Sequence, residues 1–141
     1  MAKFVLEEDE KEITLYGIAS HSKPYQLIFA LNQHNDISFT HANSQLSLGE
    51  LPKVVHNHPY YLLNDDNLEC QLYLIVNFQN GRYLAPKLKH AHYLLLTESK
   101  NHFRIKEIID KIKHSKGVLT IFDLNKLTDK KLKDEIRLWV N

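Results

Sequence analysis

A single cysteine, four glycines and four prolines give this 141-residue chain few of the parts that specialised chemistry needs. One cysteine cannot form an internal disulfide, which suits a reducing, cytoplasmic setting. With so little glycine there is no G-x-G-x-x-G, no phosphate-binding loop and no G-x-S-x-G elbow, so a nucleotide-binding enzyme of a standard kind is not expected. A basic excess is missing too. Eighteen Lys and Arg stand against 17 Asp and Glu, a formal charge of +1, which argues against a role in gripping nucleic-acid phosphate. No apolar run approaches the roughly 18 to 20 residues that cross a bilayer. The N-terminal MAKFVLEEDEKE turns acidic by Glu7 and has no apolar core of a secretory signal. The remainder, 43% hydrophobic and 25% charged, is ordinary for a globular protein, and the length is enough to bury a core without metal or disulfide. One domain over residues 1–141 is expected.

The densest signal runs from Leu68 to Glu98. Leu68, Cys70, Leu72, Leu74, Val76 and Phe78 occupy every second position, so an extended chain sets all six on one face. Asn80-Gly81 is a strong hairpin signal, because a type I′ turn needs φ > 0 at both central residues. Arg82 to Ala85 is expected to pair back, Pro86 to stop that pairing, and Leu88 to Thr97 to run as a further strand. Glu12 to Ala19 alternates as a strand. Ser22-Lys23-Pro24 reads as a helix start, with Ser22 as cap and a helix through Tyr25, Leu27, Ile28 and Leu31 that ends at Asn35-Asp36. Ile37 to Thr40 reads as a short strand, and Val54 to Leu63 as a strand interrupted by Pro59. Ser99 or Asn101 caps a second helix, whose Ile105, Ile108, Ile109 and Ile112 share one face and which Gly117 closes. Val118 to Phe122 adds a strand, and a last helix through Arg137 turns Leu132 and Ile136 inward, with Trp139 docking the tail. The whole is an α+β fold: an antiparallel β-meander sheet packed with about three helices.

One segment has a relative in kind. Ala85-Pro86-Lys87-Leu88-Lys89-His90-Ala91-His92-Tyr93 resembles, by spacing, the signature of the bacterial IPExxxVDY family. Pro86 and Tyr93 match outright, and Ala85 and Ala91 are small apolar replacements. Lys87 stands for the family's Glu, and His92 for its Asp. The Tyr16-Gly17-Ile18 strand, the helix ending in Leu31-Asn32 and the close from Val118 are also similar. The resemblance implies this fold and a bacterial cytoplasmic setting, and it implies no activity, cofactor or catalytic residue.

Nine histidines are many for this length. His56 and His58 form one H-x-H pair, His90 and His92 another, and on a strand each pair points to one face. If the two strands adjoin, four nitrogens converge as a zinc site requires; half-exposed strand histidines are the plainer reading. Cys70 sits among leucines, where a thiol behaves as a small hydrophobe with little thiolate. Tyr60, Tyr61, Tyr73 and Tyr83 could face a partner from an open sheet, although lining the core is the plainer role. The basic run around Lys130, interleaved with Asp129, Asp134 and Glu135, reads as a solvated helix face. The function expected from this pattern is non-catalytic binding: a protein partner or a homodimer, through a sheet edge or a helix face. The alternative is a metal-binding protein or metal-dependent enzyme built on the paired histidines.

Overall fold

The structure is a computed structural model that describes residues 12–34, 37–41, 46–47, 57–65, 70–79, 81–126 and 130–139. Strand β1 (Glu12–Ala19) leads into α1 (Pro24–Leu31), then β2 (Thr40–His41) and β3 (Leu46–Ser47). β4 (Asn57–His58) and β5 (Tyr60–Asp65) are separated by Pro59, the interruption its missing N–H predicts. β6 (Cys70–Val76) is followed by β7 (Phe78–Gln79), β8 (Arg82–Tyr83) and a 3₁₀ turn over Pro86–Leu88. Then come β9 (Tyr93–Ser99), α2 (His102–Lys113), β10 (Thr120–Asp123) and α3 (Lys130–Trp139). Six strands pair in the order β10–β1–β9–β6–β5–β2, every neighbour antiparallel. The α+β class, the antiparallel sheet and the three helices are those the sequence implies.

Both faces of the sheet are covered. On one, Cys70, Leu72, Leu74, Val76, Tyr93 and Leu95 pack with Leu27 and Leu31 of α1 and Ile105, Ile108 and Ile112 of α2. On the other, Tyr60, Tyr73, Ile75, Leu94 and Leu96 meet Ile136 of α3 and the segment from Leu84 to Ala91. The alternation read along β6 holds from Cys70 to Val76, but Phe78 is 42% exposed. Asn77 accounts for the break. Its side chain is wholly buried; its Nδ2 donates to the carbonyls of Leu88 (3.1 Å) and Ala91 (2.8 Å), and its Oδ1 accepts the Ala85 N–H (2.8 Å). The chain leaves the sheet here, and β7–β8 forms a separate ribbon closed at Gly81, whose φ of 79° only glycine adopts freely. Leu68 lies outside the described residues.

Element ends differ from expectation in ways with local causes. Lys23, not Ser22, is the N-cap of α1, with Pro24 in the first turn and the Gln26 side chain accepting the Lys23 N–H. The helix stops at Leu31, where Asn32 turns aside to pair both its amide atoms with the backbone of Phe39. That pairing ties down residues 37–39 and leaves the strand to begin at Thr40. Asn35-Asp36 and the Trp139 side chain fall outside the described residues. The Asn101 side chain accepts the Arg104 N–H at the start of α2, the cap the sequence implies.

Candidate functional site

The groove worth attention runs along α1. Tyr25, Gln26, Phe29 and Ala30 recur at steps of three and four residues on one helix face, with Ser22 before the helix and Gln33 after it, and this face looks away from Leu27 and Leu31 in the core. The opposite wall is the turn after α2, formed by His114, Ser115 and Lys116. Together with His34 these residues line an open groove of about 780 Å³, within the range of small-ligand clefts. Tyr25 is 66% exposed and Phe29 69% exposed. Two large rings one turn apart, beside a concavity, make an apolar patch of the kind that interaction sites carry.

The walls are held by hydrogen bonds whose direction can be assigned. The Ser115 hydroxyl donates to the Lys111 carbonyl (2.7 Å), so the His34 Nε2–H donates to the Ser115 oxygen (2.9 Å) and ties the turn after α1 to the turn after α2. At the other end, Ser20 Oγ donates to the Gly117 carbonyl (2.6 Å) and accepts the Ser22 N–H (3.1 Å). Gly117 has a φ of 90° and lies against Ser22, which a side chain there would strike.

The segment 85–93 underpins the same corner. The Tyr93 hydroxyl donates to the Ser22 carbonyl (2.6 Å), and burial, with Tyr61 adding to it, pushes its phenol up to about 12. His92 Nδ1 accepts the Ser20 N–H (3.1 Å), which places the neutral ring's proton on Nε2. The His21 ring lies 5.6 Å from it. Burial, and secondarily His21, hold His92 below the ordinary histidine value. Pro86 opens the 3₁₀ turn, and Leu88 is buried beneath it.

Of the four candidate metal-binding histidines, three fall among the described residues. His56 lies outside the described residues. His58 is buried, with its Nδ1–H donated to the Val76 carbonyl (2.8 Å). His90 is exposed in the turn after the 3₁₀ segment, so the strand alternation expected to align it with His92 does not apply; the strand begins at Tyr93. Among the described residues no three His, Cys, Asp or Glu side chains are grouped to hold a metal ion. Hence His58, His90 and His92 are not brought together.

Of the two roles open to the tyrosines, three take the plainer one, lining the core. Tyr60, Tyr61 and Tyr73 are buried, because helices and the 84–91 segment cover both sheet faces. Tyr83 is half-buried, its ring 4.7 Å from that of Phe78 in the β7–β8 ribbon. Cys70 is wholly buried, its Sγ 3.0 Å from Ser99 Oγ. Sequence reasoning missed Phe29 and the facing of Tyr25. The available signal was that Pro24–Leu31 reads PYQLIFAL, more apolar than one buried stripe needs. Among the described residues, no helix is long and apolar enough to cross a membrane. No family model matches the chain, and neither does any curated protein or solved structure.

Proposed function

We propose that the protein is a non-catalytic binding module that takes a protein partner on the α1 groove. The observation carrying this reading is the pair Tyr25 and Phe29, both more than three-fifths exposed, on the wall of a concavity. Phe103, Leu119 and Leu138 are also exposed, but they lie outside the groove lining, and single exposed apolar side chains are ordinary. Aromatic anchors at a preformed groove are the usual centre of binding energy in protein recognition. The two walls are already pinned by the His34–Ser115 and Ser20–Gly117 bonds, so binding needs little reordering.

The resemblance to IPExxxVDY proteins fits this reading as a structural signature. The matching Tyr93, and His92 in the Asp position, both hold the loop that begins the groove face, and an Asp carboxylate could accept the same Ser20 N–H. A buried, unpaired thiol suits a reducing cytoplasm. Native mass spectrometry of untagged protein, prepared gently from its own host, tests the reading. A dimer or heteromeric mass is expected from the wild type and a bare monomer from Tyr25→Ala/Phe29→Ala, with circular dichroism unchanged. The same spectrum from both proteins would remove the groove as the binding surface.

A further inference from the structure

Resting on the groove as the binding surface, we infer that its partner is an acidic peptide segment of another protein. An apolar side chain of that segment seats against Tyr25 and Phe29, and a carboxylate lies against Lys116. The argument is charge complementarity. The chain as a whole is nearly balanced, 18 basic against 17 acidic side chains, yet the groove lining contains no carboxylate and its one formal charge is the cation of Lys116. Lys116 is exposed and forms no ion pair among the described residues.

The neighbouring charges leave that cation available to a ligand. The Asp110 carboxylate stands 3.7 Å from His114 Nδ1, and the Asp110 carbonyl accepts that nitrogen's proton at 2.8 Å. His34 is committed to Ser115. Part of the basic character at the end of α2 complements the helix dipole, but Lys116 lies beyond the last turn of that helix. The eight residues of α1 span roughly 12 Å at helical rise, enough for about two turns of a bound helix or a short extended segment. A peptide with apolar residues at helical spacing and an acidic residue at one end matches both the rings and the cation. A basic or purely apolar partner would leave Lys116 opposed or unpaired.

Selection from a random peptide library displayed on phage, against the full folded chain, tests the inference. Enriched sequences are expected to share an apolar pair and an Asp or Glu. Their synthetic peptides should bind Phe29→Ala roughly tenfold or more weakly. Repeating the selection on Lys116→Glu should replace the acidic position by Lys or Arg, a swap that misfolding cannot produce. Peptides that depend on Phe29 but show no acidic preference, or no change of charge with Lys116→Glu, would overturn the acidic partner and leave the groove standing. Failure to enrich peptides, or peptides indifferent to Phe29→Ala, would overturn both. Concentration-dependent self-association that Phe29→Ala abolishes would give the groove to a second copy of the chain and overturn the inference.

Discussion

The phenol of Tyr93 and the carbonyl of Ser22, 71 residues apart in sequence, meet at 2.6 Å and join the first residue of β9 to the loop that opens α1. Tyr93 is 3% exposed, so removing its hydroxyl leaves the Ser22 carbonyl short of a partner in a partly buried place. Tyr93→Phe is expected to cost about 1 kcal/mol of unfolding free energy, the usual worth of such a bond. Urea denaturation measures the cost. Amide exchange at Ser22 and Leu27, whose N–H groups are bonded to Ser20 Oγ and the Lys23 carbonyl, should quicken by more than the global loss implies, because the bond holds that loop. A uniform change across the chain would make Tyr93 a packing residue only.

Asn77 is the second anchor of that corner. Its amide is wholly buried and uses both ends, toward Leu88, Ala91 and Ala85. Asn77→Ala removes the partner of the Ala85 N–H and of the Ala91 carbonyl, each worth about 1–3 kcal/mol when left unpaired, while the Leu88 carbonyl keeps the Ala91 N–H. A loss on the order of 3–5 kcal/mol is expected. Asn77→Asp keeps one acceptor and forfeits both donors, so it should not restore stability at neutral pH. Both variants can be compared by chemical denaturation.

His92 sets a pH dependence whose sign is fixed. Its folded value lies below the 6.5 of the unfolded residue, so the unfolded chain binds the proton more readily as pH falls. The contribution is fully present above about 6.5 and is lost as pH drops through the folded value. Protonation also sets an N–H against the Ser20 N–H that His92 Nδ1 now accepts. The melting temperature of the wild type should therefore fall below that pH more than that of His92→Asn, whose side-chain oxygen can still accept. Parallel curves for the two proteins would show that His92 does not carry the effect.

Much of this architecture was legible in the sequence, and what was not has physical reasons. β1 occupies the predicted residues, Pro59 breaks its strand, Asn101 caps α2, and Gly81 falls between the paired strands β7 and β8. Period-2 reasoning failed where the sheet is buried on both faces. Leu94-Leu95-Leu96 in β9 is a continuous apolar run, the pattern of a strand with no wet side. Tyr60, Tyr61 and Tyr73 take the plainer of their two expected roles and line the core. Asn77 was invisible for a different reason: its role depends on carbonyls 11 and 14 residues away, which no local pattern displays. The groove escaped for a similar reason, since the turn that forms its second wall comes from the far end of α2.

The most direct test of the groove replaces Phe29 with a photo-crosslinking phenylalanine analogue in the living host. The same analogue at Phe103, 82% exposed and outside the groove lining, serves as the control. Irradiation is expected to give a discrete adduct from position 29 that position 103 does not give and that Tyr25→Ala diminishes. No adduct from position 29, or the same adducts from both positions, would contradict recognition through this groove.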